Sequence, residues 1–284
     1  MAEAAEQTPE EQQPEQPGWG KAALEALAWL FAWPIAFVAE VGFMTRLAYE
    51  TFMWGIRPPY RFRLVIEHIE FLGVQSIFIV GLSGIFVGGV FSLQLVDGFR
   101  QFGAENQVGA VIGLALSREL APVFSALMIT SRAGSAMATE IASMRVTNQI
   151  DALTTMSVNP IQFLIVPRVI AATIATPIMA LLAFMVGLVG AYVVGVFLMG
   201  IDGGIFVERV KWFVDTSDVG QGLVKSAVFG AALTMVACRQ GFYASGGAAG
   251  VGQATNRAVV QASVAVLVLD YVLTAVILGQ GVGV

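Results

Sequence analysis

Long apolar segments, separated by short polar ones, dominate the chain from residue 74 onward. A helix needs about 20 mostly apolar residues to cross the ~30 Å hydrocarbon core of a bilayer. The pattern predicts five membrane-spanning helices, over residues 74–96, 107–131, 169–200, 219–238 and 258–279. The third segment is too short for two spans, so we interpret it as one tilted helix that Pro177 is able to kink.

Polar segments between these spans are predicted to lie at the membrane surfaces. Residues 97–105 and 202–218 read as polar loops, and residues 239–257 read as a glycine-rich connection. Arg132, Glu140 and Arg145 are interpreted as the return of the chain to water after the second span. Lys225 lies near the end of the fourth span, from which it is predicted to extend its ammonium group to the membrane surface.

The N-terminal region has a different pattern. Residues 1–20 are acidic and rich in proline and glutamine, which predicts a disordered tail without the basic and apolar features of a signal peptide. Residues 21–68 are aromatic and amphipathic, but their apolar run is too short to span. Because tryptophan prefers the membrane surface, we predict an interfacial helix here, with a further span as the alternative, and a transmembrane domain over residues 69–284.

Composition agrees with this pattern. The chain is 57% hydrophobic and 12% charged, whereas soluble domains carry about 25% charged residues. The predicted fold class is therefore an all-α integral membrane protein with about five transmembrane helices and an N-terminal interfacial helix. Most Lys and Arg residues fall on the side that contains the N-terminus, which predicts a cytoplasmic N-terminus.

Several kinds of chemistry are excluded by the motifs that are missing. The one Gly-Lys pair, at residues 20–21, is followed by Ala22, so the chain has no phosphate-binding loop and no ATPase motor of its own. His68 is the single histidine and cannot form a metal site alone, and Cys238 reads as a small buried apolar residue. We therefore predict a non-enzymatic protein that binds no metal or cofactor itself.

Charged residues inside predicted spans are the main candidates for function, because burying charge in a membrane is costly. Arg118 and Glu119 lie near the middle of the second predicted span, and Asp270 lies inside the fifth. These three residues are candidates for a substrate cavity in which Arg118 meets an anionic lipid headgroup. A structural ion pair, between Arg118 and Asp270 or with a helix end, is the alternative.

Two further groups of residues are singled out by their spacing. Gly84 and Gly88 form a Gly-xxx-Gly pair in the first span, which favours close helix packing. A short helix is predicted between the second and third spans, bounded by Pro160, and its residues Ile150, Leu153 and Met156 form an apolar edge. Such a helix is suited to dock into a groove of a partner protein, or else to lie on the membrane.

Five short motifs, in order along the chain, resemble the MlaE/YrbE family of ABC transporter permeases over about residues 60–284. They are RELAP at 118–122, SRAG at 131–134, QIDAL at 149–153, VPR at 166–168 and GGAAGVG at 246–252. The resemblance implies a homodimeric permease of the bacterial inner membrane that moves phospholipids, or related lipids. It also implies a cytoplasmic ABC ATPase that binds the ATP and Mg²⁺, an MCE-domain protein on the periplasmic side, and in some cases a STAS-like protein.

The resemblance also assigns roles to particular residues. It implies that the segment around Asp151 is the helix that couples the permease to the ATPase. The residues of this coupling helix are Gln149, Ile150, Asp151, Ala152, Leu153, Met156 and Pro160. Two functions from other classes remain as alternatives, namely a secondary transporter that works without an ATPase and a membrane scaffold that transports nothing.

Overall fold

The computed structural model describes residues 38–39, 41–58 and 61–281, and its contacts divide the chain into two units, Met1–Arg46 and Leu47–Val284. In the first unit, residues 41–46 are helical. The predicted disordered tail (residues 1–20) and residues 21–37 of the predicted interfacial region (residues 21–68) lie outside the described residues. All elements discussed below belong to the second unit.

This second unit consists of helices joined by short turns, and its described residues contain no strand. The elements in chain order are α1 (residues 47–55), α2 (Phe62–Leu72), α3 (Ile77–Arg100), α4 (Val108–Ala115), α5 (Ala121–Ile129), α6 (Ser135–Val146), α7 (Gln149–Thr155), α8 (Val166–Tyr192), α9 (Gly203–Phe213), α10 (Thr216–Phe242) and α11 (Gly247–Gly281). Turns of π-helix join α4 to α5, α5 to α6, and precede and follow α8.

Five helical stretches of the described chain are long and apolar enough to cross a membrane, which confirms the predicted all-α membrane fold. They are Phe62–Arg100, Glu105–Val146, Ile161–Leu198, Thr216–Phe242 and Gly247–Ile277. Because successive spans alternate in direction, residues 147–160 and 243–246 lie on the membrane side from which the first span enters, here called the N-side. Residues 101–104 and 199–215 lie on the opposite side, here called the C-side.

The second span is longer than predicted, and Arg132 does not end it. The helical path continues through Arg132 to Val146. The Arg132 guanidinium donates hydrogen bonds to the carbonyl of Phe71 (2.8 Å) and to the hydroxyl of Ser76 (3.1 Å). Its charge is therefore accommodated against the start of the first span, and the helix has no need to leave the bundle there.

Two segments predicted as loops are mostly helical. Residues 202–218 contain α9, whose N-terminus is capped by the Asp202 side chain, which accepts a hydrogen bond from the amide of Ile205 (2.9 Å). In the predicted connection at residues 239–257, only residues 243–246 separate α10 from α11. The turn has positive φ angles at Gly246 and Gly247, which glycine adopts readily. These glycines therefore reverse the chain direction between α10 and α11 and do not form a long flexible loop.

Small residues determine how closely the spans pack. Gly84 and Gly88 of α3 are buried against Ala183 and Gly187 of α8. A β-carbon at Gly88 would overlap the carbonyl group of Gly187, so this backbone contact requires glycine. The first and third spans are thereby held in direct backbone contact.

α10 occupies the middle of the bundle and contacts α5, α6, α8 and α11. α11 meets it through one stripe of residues spaced four apart, which on a helix lie on one face. The stripe consists of the buried residues Gly250, Ala254, Ala258, Ala262 and Val266. Asp270 and Thr274 continue this stripe toward the C-side, so α11 directs both polar side chains at its neighbours.

Candidate functional site

A cluster of charged side chains lies inside the bundle, in its C-side half, and Lys225 of α10 is at its centre. The Lys225 ammonium is 2.6 Å from Glu119 Oε2, 2.7 Å from Thr274 Oγ1 and 3.4 Å from Asp270 Oδ1. Only 2% of the Lys225 residue is exposed. The prediction that Lys225 extends to the membrane surface is therefore wrong, because its charge is paired within the bundle.

Three spans supply this cluster, and the local geometry of each contributes. Arg118 and Glu119 lie in a π-helical turn, Leu116–Leu120, and such widened turns are often found at functional sites. Asp270 and Thr274 are one helical turn apart on the inner stripe of α11, and the Thr274 hydroxyl also bonds the Asp270 carbonyl (2.8 Å). The cluster thus depends on the second, fourth and fifth spans together.

Arg118 pairs with a different residue from the one considered in the sequence analysis. Its Nε and Nη2 atoms lie 2.8 and 2.5 Å from Asp218 Oδ1, whereas Asp270 pairs with Lys225. Asp218 belongs to the first turn of α10 and accepts a hydrogen bond from the Asp215 amide (2.9 Å) through its other carboxylate oxygen. This reciprocal capping box orients Asp218, and Asp218 in turn orients Arg118.

The pairing with Asp218 also shows where Arg118 and Glu119 lie along the second span. They were expected near the middle of the second span, but that span begins at Glu105 and ends at Val146. Arg118 therefore lies level with the N-terminal turn of α10, near the C-side end of the bundle. The reason for the difference is the extension of the second span beyond Arg132.

The cluster is only partly enclosed by the described part of the chain. The side chains of Arg118 and Glu119 are 40% and 38% exposed, and that of Asp270 is 22% exposed. Two cations, Arg118 and Lys225, face three carboxylates. Among the described residues, Arg118 Nη1 has no hydrogen-bond partner, so this donor is available to a ligand such as a phosphate oxygen.

An apolar cavity of about 340 Å³ lies between α3 and the second span. Leu120, which follows Glu119 in the chain, lines it together with Phe124 of α5. The other lining residues come from α3 and are Phe86, Val87, Val90, Phe91 and Gln94. A charged patch beside an apolar cavity matches the two chemical parts of an amphipathic ligand.

The short helix α7 lies on the N-side, as a separate functional candidate. Its residue Ile150 is 1% exposed and packs among Ile141, Leu164, Ile165, Val169 and Cys238. Leu153 is half-buried against the same cluster, and Met156 is 69% exposed. Ile150 and Leu153 attach the helix to the bundle. Of the predicted apolar edge, only Met156 is therefore accessible to a partner protein.

The opposite face of α7 is exposed and polar. Gln149, Asp151, Ala152, Thr155 and Met156 form the accessible surface, and Pro160 is half-buried where the third span begins. Asp151 is held by Arg145, whose Nη1 is 2.6 Å from Asp151 Oδ1. Asn148, in a left-handed conformation with φ of 59°, begins the helix and so produces the sharp turn after α6.

An ion pair with one buried partner joins the second and third spans near α7 and was not predicted. Arg168 of α8 is 3% exposed, and its Nη2 is 2.8 Å from Glu140 Oε2 of α6. Arg168 also donates to the Leu164 carbonyl (2.7 Å). The sequence shows that both residues are charged, but it does not indicate that they pair, because they lie on different spans.

Sequence reasoning singled out Arg118, Glu119 and Asp270, and the structure brings them into one region of the bundle. It did not identify Lys225, Asp218 or Thr274 as members of the same cluster. Asp270 and Thr274 are four residues apart on the apolar α11 and so lie on the same face of the helix. This spacing could have identified Thr274 as a neighbour of Asp270. Among the described residues, no group of His, Cys, Asp and Glu side chains is arranged to hold a metal ion.

Comparison with known proteins finds a match between residues 65–276 and the family model described as Permease MlaE. A probable ABC transporter permease protein of Rickettsia felis is 39% identical over 84% of this chain and 93% of its own length. The intermembrane phospholipid transport system permease protein MlaE of Haemophilus influenzae is 39% identical over 78% of this chain and 85% of its own. TRIGALACTOSYLDIACYLGLYCEROL 1, a chloroplastic protein of Arabidopsis thaliana, is 35% identical over 78% of this chain and 63% of its own length.

Proposed function

This chain belongs to the MlaE permease family, and from this premise we propose that it is the membrane subunit of an ABC-type phospholipid transporter. The relatives are named as ABC transporter permeases, and one as a permease of intermembrane phospholipid transport. The chain has no phosphate-binding loop, so ATP hydrolysis belongs to a separate ATPase subunit. The permease is a multi-pass protein of the bacterial inner membrane with its N-side in the cytoplasm.

The observation that carries this proposal is the arrangement of α7. An ABC permease needs a rigid element on its cytoplasmic surface that transmits movement of the ATPase to the spans. α7 meets this need because Ile150 attaches it to the second, third and fourth spans, while Asp151, Ala152 and Met156 remain exposed. The exposed face is the docking surface for the ATPase, and Gln149 and Thr155 extend it.

The charged cluster is the second part of the proposal. We assign it to the phospholipid headgroup, with Arg118 and Lys225 attracting the phosphate and the apolar cavity beside Leu120 receiving acyl chains. Glu119 and Asp270 hold the Lys225 side chain in position when no lipid is bound. The partial exposure of Arg118 and Glu119 supports access from the adjacent membrane or from a second copy of the chain.

The proposed assembly is a homodimer of this chain with two ATPase subunits on the N-side. An MCE-domain protein on the C-side exchanges lipid with the dimer, and a STAS-like protein is a further candidate partner. Affinity purification of the tagged chain in mild detergent, followed by mass spectrometry of proteins and lipids, tests this composition. Recovery of the chain with no ATPase would contradict the proposal.

The role of the cluster is tested with Lys225→Met in the purified permease and ATPase complex. Hydrogen bonds to charged groups contribute about 1.5–3 kcal/mol, so the apparent affinity for phospholipid in lipid-stimulated ATP hydrolysis should fall about 10- to 150-fold. The matched control is Lys211→Met, since Lys211 is exposed on α9 and outside the cluster. Equal lipid affinity in both variants, with the ATPase still bound, would count against a headgroup site.

A secondary transporter is the alternative that the cluster itself favours, because buried Lys, Asp and Glu side chains also form proton relays in such transporters. The two functions differ in their dependence on ATP. Lipid movement in proteoliposomes that contain this chain alone, driven by a proton gradient, would support the alternative. Movement that requires the ATPase and ATP supports the ABC permease.

A further inference from the structure

A second cavity, of about 190 Å³, lies at the N-side of the bundle, far along the spans from the charged cluster. It is formed where the end of α1, Arg57, the start of α2 and the start of α8 meet. Its lining includes Trp54, Arg57, Arg61, Val65, Ile170 and Ile174. The lining contains two arginines and no acidic residue, so the cavity carries net positive charge.

Contacts with neighbouring side chains hold both arginines in fixed positions. The Arg57 guanidinium carbon lies 5.3 Å from the centre of the Trp54 ring, and that of Arg61 lies 4.4 Å from the Phe163 ring. Gln162 Nε2 donates to the Arg57 carbonyl (2.9 Å), which ties this segment to the beginning of the third span. Stacking on an aromatic face leaves the N–H donors at the edge of a guanidinium available for other partners.

Within the described part of the chain, no carboxylate pairs with either arginine of the cavity. Among the described residues, neither Arg57 nor Arg61 takes part in an ion pair. Arg63, two residues further along, is different because its Nε is 3.0 Å from Glu67 Oε1. Among the described residues, the arginine outside the cavity is therefore paired, and the two that line the cavity have donors available for a negatively charged ligand.

An apolar track leads from the arginines toward the membrane interior. Val166, Ile170 and Ile174 follow one another at intervals of one helical turn on α8. Ile170 and Ile174 are 38% and 47% exposed, so they face the lipid environment beside the cavity. Arg61 immediately precedes Phe62, where the first of the five apolar helical stretches begins, so the cavity lies at the N-side end of that stretch.

We propose that this cavity binds one acidic phospholipid of the N-side leaflet. The phosphate is held by Arg57 and Arg61, and an acyl chain lies along Val65, Ile170 and Ile174. Basic pockets between spans on the cytoplasmic side are suited to acidic headgroups. This site goes beyond the proposed transport function, since it lies at the opposite end of the spans from Lys225 and contacts the base of the third span near α7.

The test uses Trp54, which lines the cavity, as a reporter in the full-length protein. Phosphatidylglycerol brominated on its acyl chains is titrated into mixed micelles, and the quenching of tryptophan fluorescence is recorded. For each variant, the fluorescence of the same protein carrying Trp54→Phe is subtracted. This difference isolates Trp54 from the four other tryptophans among the five in the chain. Brominated phosphatidylcholine serves as the lipid without net negative charge.

We expect saturable quenching by phosphatidylglycerol at low mole fraction and only weak quenching by phosphatidylcholine. Arg57→Gln combined with Arg61→Gln should shift the midpoint about 30-fold, since each basic residue near a membrane surface contributes about a factor of five in affinity. The matched control, Arg63→Gln, should titrate like the unmodified protein. Lys225→Met should also leave this titration unchanged, which separates the site from the proposed transport cluster.

Three results would overturn the proposal. They are equal quenching by the two lipids, an unchanged midpoint in the double variant, and an equal shift in Arg63→Gln, which would indicate only general surface charge. Soluble glycerol 1-phosphate is added as a competitor to distinguish an intact lipid from a free phosphate. Failure of this compound to displace the lipid supports a lipid site, whereas displacement at micromolar concentration would contradict it.

Discussion

The attachment of α7 to the bundle leads to a prediction about Ile150. α7 has seven residues, which is too short for a helix to be stable by itself in water. Its position therefore depends on packing, and Ile150 is its one fully buried side chain. The Arg145–Asp151 ion pair is more than one-third exposed on both sides, and exposed pairs contribute only about 0–1 kcal/mol.

Ile150→Ala should therefore release α7 while leaving the five spans intact. Replacement of a buried isoleucine by alanine costs about 2–5 kcal/mol. If this cost falls on the docking of α7, the ratio of docked to undocked helix falls about 30- to 5,000-fold. The amides of residues 150–156 should then exchange with deuterium faster by up to the same factor, and less ATPase should co-purify.

Met156→Ala is the matched control, because Met156 belongs to the same apolar edge but is exposed. This variant should leave deuterium exchange in α7 almost unchanged. Met156→Asp should weaken ATPase binding without accelerating exchange, which separates the docking surface from the anchor. Unchanged exchange in Ile150→Ala, or equal acceleration in Met156→Ala, would refute the idea that Ile150 holds the helix in place.

Two further predictions concern the bundle. Gly88→Ala should destabilise the protein by at least about 1–3 kcal/mol through overpacking against α8, whereas Gly81→Ala, which has open space around it, should not. Thermal unfolding in detergent measures both, and equal midpoints would contradict the close contact. Glu140→Gln leaves the buried Arg168 without its charged partner and should lower the unfolding midpoint, by less than the about 3–5 kcal/mol of a fully buried pair because the Glu140 side chain is 56% exposed. A midpoint equal to that of the unmodified protein would mean that the pair contributes nothing to stability.

The corrections to the sequence analysis share one physical origin. Arg132 and Lys225 were interpreted as charges that must reach water, since a lone charge in an apolar segment has no local partner. In the structure, Arg132 bonds to groups at the start of the first span, and Lys225 bonds to residues of the second and fifth spans. Their partners lie tens to more than a hundred residues away in the chain, so no local pattern identifies them.

The sequence by itself determined that the protein is an all-α membrane protein with five spans, because hydropathy over about 20 residues is a local property that the bilayer selects directly. It also determined the position of α7 between two spans and the family motifs. Only the tertiary structure decided that Asp218 pairs with Arg118, that Lys225 joins Glu119 to Asp270, and that Ile150 faces the bundle. These outcomes depend on which helix faces meet, and that is determined by close backbone contacts such as the one between α3 and α8.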